Sequence, residues 1–164
     1  TRGLSIRRRC GENVGSMGPP DIAMSEYCFT YGSLMCPEIM AEAAGQPCLG
    51  EPAELPGHAR HPVAGEAYPG VVEAPGSQVA GILYRDLDAA ALARLDAFEG
   101  EMYARLRVEV NRVGGGRVAA WCYIVRPEFR NRLLPGDWDF EAFLAEGKRR
   151  FMADYLGFTA LDRG

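Results

Sequence analysis

The stretch Arg105–Val125, "RLRVEVNRVGGGRVAAWCYIV", decides the fold class. Leu106, Val108 and Val110 alternate with Arg105, Arg107 and Glu109, the two-residue period of a strand with one face inward and one toward water. A second strand-like run, "RVAAWCYIV", begins directly after Gly114, Gly115 and Gly116. Two such runs joined by glycines read as an antiparallel hairpin. A hairpin here breaks any regular strand–helix–strand alternation, so the fold class follows from what flanks it.

Just upstream, "AAALARLDAF" carries Leu92, Leu95 and Phe98 at helical spacing, with Asp86 or Asp88 as its cap and Gly100 as its stop. Before it, "VAGILY" (79–84) reads as a buried strand. Residues 49–76 are rich in Pro and Gly and read as short strands at 51–60 and 64–68 broken by turns. Nearer the start, Tyr27, Phe29 and Tyr31 alternate with Cys28 and Thr30 as a strand, and Pro37 opens a helix ending near Gly45. Downstream, "DWDFEAFLAEGKRRFMADYLG" places Phe140, Phe143, Leu144, Gly147, Phe151 and Tyr155 along one helix face. Its acidic residues come early and Lys148, Arg149 and Arg150 late, which suits the helix dipole. Short strands, one hairpin and three helices predict an α+β domain built on a small mixed, strongly curved sheet or barrel with flanking helices. Periodicity does not report whether the sheet closes.

With 164 residues and 48% hydrophobic content, the chain has enough for one ordinary core. Residues 25–164 read as a single domain. Residues 1–24 show no sustained period and contain a Pro-Pro pair, so they read as a tail, either vector-derived or an upstream extension with Met17 or Met24 as candidate initiators. Of the 18 basic and 22 acidic residues, Arg2, Arg7, Arg8, Arg9, Glu12 and Asp21 precede residue 25, which leaves 14 against 20 in the body. That negative body is a poor partner for nucleic acid. Five cysteines without a CxxC pair suit free thiols in a reducing compartment. No run approaches the roughly 18 apolar residues of a membrane span, and no apolar segment follows the N-terminal arginines, so the expectation is a cytoplasmic protein with no membrane partner.

Two places suggest chemistry. "YGSL" (Tyr31, Gly32, Ser33, Leu34) joins a strand to a helix. Backbone N–H groups at such a joint can cradle an anion, glycine lets a ligand approach, and the Ser33 hydroxyl adds a donor. Any strand-to-helix turn also favours Gly and Ser. In "DAFEGEMYAR" (96–105), Glu99 falls at the last turn of its helix, where exposed carbonyls disfavour a second negative charge. Desolvation by Phe98, Tyr103 and the sheet would act in the same direction and make it a general base. The alternative is a solvated carboxylate beside a cap, and Glu101 competes with it. His58 and His61 supply two zinc-type ligands without further partners. Cys28, Cys36 and Cys122 fit packing better than nucleophilic roles, and the Trp121 and Trp138 rings fit the core.

Together and in order, "FTYGSLM", "AYPGVV", "LDAFEGEMYARLRVEV" and "WDFEAF" resemble the gamma-glutamyl cyclotransferase-like family, in particular its branch of plant avirulence-induced-gene-like proteins, over roughly residues 27–155. The resemblance implies a small mixed barrel and a pocket in which Tyr31, Gly32, Ser33 and Leu34 hold the alpha-carboxylate of a gamma-glutamyl substrate. It implies further that Glu99 carries the proton work, that Tyr103 lines the pocket, that Arg105 is structural and that the WDF element adds no chemistry. The reaction implied closes the substrate into 5-oxoproline with release of an amine, by a route that asks for no metal or cofactor. A non-catalytic pocket protein binding an acidic metabolite is the alternative, and a hydrolase releasing glutamate a third.

Overall fold

The computed structural model describes residues 26–153, so the tail expected at 1–24, and Cys10 and Tyr155, lie outside the described residues. Five strands, β1 (Glu26–Thr30), β2 (Leu49–Pro62), β3 (Pro69–Leu87), β4 (Tyr103–Arg112) and β5 (Arg117–Val125), form a closed barrel in the order β1-β3-β2-β4-β5. Every pairing is antiparallel except β1 with β5, where Cys28 meets Trp121 in parallel and closes the ring. The α+β expectation is met, and the sheet does close.

The hairpin of β4 and β5 pairs Tyr103 with Val125 through to Asn111 with Arg117, as the alternation predicted. Leu106 does not turn inward as expected: it is 49% exposed. The reason lies in its other neighbour. Strand β4 pairs with β2 only at Ala53↔Arg112 and Glu54↔Asn111, so no β2 residue is paired beside Leu106.

Residues 49–76 also depart from the expectation. Strand β2 runs unbroken from Leu49 to Pro62, and 64–68 is the connection to β3, not a strand. Gly57 (φ 75°) and Gly76 (φ 89°) flank a shift of register between Pro56↔Gln78 and His58↔Glu73. These glycines make a bulge that bends the ladder without ending it. "VAGILY" lies inside the 19-residue β3.

Helix α1 (Pro37–Ala44) starts on its proline and ends at Gly45 in the left-handed conformation, φ 85°. Helix α2 (Ala89–Glu99) is capped by Asp88, whose side chain accepts from the Ala91 N–H at 2.9 Å; Asp86 takes no part in the cap. The last helical run is α-helical at Phe140–Ala142, π-helical at Phe143–Gly147 and α-helical again at Lys148–Phe151. In a regular α-helix, Phe143 and Phe151 would point about 80° apart. The inserted π turn brings both inward as buried side chains and leaves Leu144 38% exposed, outside the face expected for it.

Two buried clusters result. One fills the barrel with Phe29, Leu55, Val71, Leu83 and Val110; the other lies between barrel and helices, around Ile39, Met40, Leu87, Leu95 and Phe143. Trp138 joins the second, and Trp121 packs half-buried against it, with the Arg105 and Arg107 guanidiniums 4.5 and 4.4 Å from its ring centroid. Among the described residues, no helix is long and apolar enough to cross a membrane.

Candidate active site

Where the two clusters meet, a pocket opens. Its wall includes Tyr31, Gly32, Ser33, Leu34, Glu99 and Tyr103, so every residue singled out in the two sequence motifs converges on one cavity. The elements explain why. Strand β1 delivers the loop from its end, α2 delivers Glu99 as its last residue, and β4 delivers Tyr103 as its first.

The loop differs from the helix N-terminus expected of it. Met35 N–H donates to the Gly32 carbonyl at 2.9 Å and Cys36 N–H to the Ser33 carbonyl at 3.1 Å, closing a 3-10 turn at Ser33–Met35 before α1 begins. Pro37 holds Cys36 extended (φ −78°, ψ 117°), which separates turn from helix. The N–H groups of Gly32, Ser33 and Leu34 donate to no acceptor among the described residues. They therefore act as free amide donors in their own right, not as the end of the α1 dipole. Gly32 is required by close approach: a Cβ there would sit 2.7 Å from Pro69 Cδ.

Glu99 is partly exposed, and the pocket it lines accounts for an opening in otherwise dense surroundings. Burial, followed by the nearby charge of Asp96, pushes its carboxyl up to about 8. No hydrogen bond or ion pair to its carboxylate is made by the described residues. Glu101, the competing carboxylate, is exposed. Burial also works against ionisation of Asp96, one turn earlier, but hydrogen bonds from Arg105 and Tyr123 outweigh it and hold that carboxyl below its usual range. Arg105 grips Asp96 at 2.7 and 3.1 Å, and Tyr123 Oη donates to it at 2.8 Å. One acid of the pair is thus kept charged and the other kept close to neutral pH.

Sequence reasoning missed Asp96 and Tyr123, and also Tyr68, Pro69 and Phe151 in the pocket wall. It did not foresee how the tyrosines are used. Tyr31 Oη donates to the Tyr123 carbonyl at 2.6 Å and Tyr103 Oη to the Pro69 carbonyl at 2.7 Å. Their hydroxyl protons brace the walls, and both residues line the cavity. Burial pushes the Cys28 and Cys122 thiols well up, which leaves them protonated. His58 and His61 sit against different carbonyls, of Pro56 and Gly136, each at 2.9 Å.

Comparison with known proteins places these features in a family. A family model described as "Gamma-glutamyl cyclotransferase, AIG2-like" matches residues 28–140. "Protein AIG2 C" of Arabidopsis thaliana is 28% identical over 134 residues, 80% of this chain and 79% of that one. "AIG2-like protein B" of the same plant is 29% identical over 149 residues, 88% and 83% of the two chains. Among solved structures, an Arabidopsis thaliana protein determined in solution superposes with a TM-score of 0.61 at 26% identity, covering 85% of each chain. A structure described as "Gamma-glutamyl cyclotransferase" shares the fold, with a TM-score of 0.55 at 19% identity over 64% of this chain and 73% of that one.

Proposed function

The chain belongs to the gamma-glutamyl cyclotransferase, AIG2-like family, and from that membership we propose that it cyclises gamma-glutamyl amides to 5-oxoproline with Glu99 as general acid and base. The observation that carries the reading is a carboxyl raised to about 8 in the same pocket as three uncommitted backbone N–H groups.

The substrate's alpha-carboxylate docks on the amides of Gly32, Ser33 and Leu34, with the Ser33 hydroxyl as a further donor. The ionised Glu99 takes a proton from the substrate's alpha-ammonium. The freed amine attacks the gamma-carbonyl, a C–N bond forms, and a tetrahedral oxyanion results. As the original amide C–N bond breaks, the protonated Glu99 gives its proton to the departing nitrogen, and the ring nitrogen's second proton then passes through the same carboxylate to the released amine, which leaves as the ammonium ion. Holding the amine against its own carbonyl contributes roughly 7–11 kcal/mol through proximity. Proton transfer by a positioned carboxyl adds about 10²–10⁴ in rate, most effectively when its pKa is close to the working pH.

The walls also speak to the leaving group. Tyr68 lies 6.5 Å from Tyr103 and 6.3 Å from Phe151 between centroids, and Phe98 lies 5.9 Å from Phe151. Among the described lining residues there is no Lys, Arg or His to receive a second carboxylate. The reading is therefore an amine with an apolar body and no acid of its own. Gamma-glutamyl anilide, a gamma-glutamyl alkylamide, glutathione and a gamma-glutamyl-glycine dipeptide form the test panel. We expect 5-oxoproline from the first two at kcat/KM at least about tenfold above the last two, a difference of about 1.4 kcal/mol. Free glutamate would indicate hydrolysis, and saturable binding without product would indicate a binding protein.

A further inference from the structure

The WDF element carried no chemistry in the sequence, yet the structure connects it to the carboxylate-binding loop through Arg60. Arg60 lies on β2 with its side chain only 13% exposed. Its Nη1 donates to the Tyr31 carbonyl at 2.8 Å, while Nε and Nη2 donate to the two oxygens of Asp137 at 2.8 and 3.2 Å. Asp137 is fixed in turn, because the Trp138 N–H donates to its Oδ1 at 2.6 Å. The Trp138 ring lies 5.6 Å from the guanidinium and donates from Nε1 to the Ala67 carbonyl at 2.8 Å.

The consequence runs through one peptide plane. No peptide bond among the described residues is cis. In a trans peptide the carbonyl and the following N–H point in opposite directions. The guanidinium holds the Tyr31 carbonyl on one side, so the N–H of Gly32 must project on the other. Pro69, packed against Gly32 and tied by its own carbonyl to Tyr103 Oη, limits rotation of the same peptide. A cation at the carbonyl end also polarises the peptide and makes its N–H a better donor.

We propose that Arg60, clamped by Asp137 and Trp138, is a positioning residue that turns the Gly32 amide toward the alpha-carboxylate of the substrate. Arg60 acts through Tyr31 and is not itself among the lining residues. Its role is to fix a donor that the loop alone would leave free to rotate. The inference rests on the reading of the loop as a carboxylate site, so the test must separate the two.

The probes are L-5-oxoproline and L-5-oxoprolinamide, which differ only in the carboxylate, titrated by NMR into the full chain. The wild-type protein is expected to bind the acid about tenfold more tightly than the amide, consistent with charge-assisted hydrogen bonds. Arg60→Met is expected to reduce that preference below about threefold by weakening the acid alone. Asp137→Asn removes an exposed carboxylate with little risk to folding, and is expected to narrow the preference part of the way. A wild-type preference retained in full by both variants overturns the positioning role while leaving the carboxylate reading intact. No preference in the wild-type protein overturns the carboxylate reading and the inference together. If Arg60→Met does not fold, Asp137→Asn alone decides.

Discussion

Glu99 has one property that can be measured without any substrate. Its carboxyl ordinarily titrates near 4.5, and in the fold it does so at about 8, so the folded chain binds that proton more tightly than the unfolded chain. The stabilisation is therefore fully present below about pH 4.5 and is lost as pH rises through about 8. Glu99→Gln should gain on the wild type between pH 5 and pH 9 in denaturant titrations, by on the order of 3–5 kcal/mol. A pH-independent gap would mean that the carboxyl is solvated. Asp96 contributes to the same shift, and the other titratable groups coupled to Glu99 are the buried Tyr31, Cys28, Cys122 and Tyr123. Asp96→Asn removes a negative charge and frees Arg105, so the midpoint of kcat/KM against pH should fall below that of the wild type. A midpoint that stays or rises would separate Asp96 from Glu99. Glu99 was legible because its signals are local: a helix end, a following glycine and flanking aromatics. The grip of Arg60 on Asp137 spans 77 positions, and no nearby residue announces it.

Among the elements, the short strand-to-loop joint is the one on which the proposed carboxylate site depends most. Three residues, Ser33–Met35, form a tight turn that presents amides, and it is the absence of a side chain at Gly32 that lets Pro69 pack directly against the backbone. Gly32→Ala places a methyl 2.7 Å from Pro69 Cδ and must displace one or the other. The expected result is a KM raised by about tenfold or more and a stability loss of about 1–3 kcal/mol, read from steady-state kinetics and thermal melting. An unchanged KM would detach the joint from binding. The sequence showed the joint and the helix start at Pro37 but not the separate 3-10 turn at Ser33–Met35, because three residues are too few to carry a period of their own. The last helix failed differently. The π turn widens the backbone from Phe143 to Gly147, so Leu144, inside it, leaves the face a regular helix would give it, while Phe151 beyond it is buried as expected.

Across the whole molecule, the barrel and the helices both supply the site. The pocket sits at the seam between two buried clusters, with the loop rooted in β1 and Glu99 in α2, which packs on α1 and the barrel. Strand type was readable from alternation, but closure depends on a parallel contact between β1 and β5 that no local period encodes. The unbroken length of β2 was hidden for a related reason, since Pro and Gly suggested stops where the sheet only bends. The proposed cyclisation requires Glu99 to move protons in a pocket that binds its substrate independently of that acid. The most direct measurement is 5-oxoproline release from a gamma-glutamyl alkylamide by the wild-type protein and by Glu99→Gln, with substrate binding followed in parallel. We predict turnover by the wild type, a loss of about 10²-fold or more in kcat for the variant and binding changed by less than about threefold. Full turnover by Glu99→Gln would contradict the account.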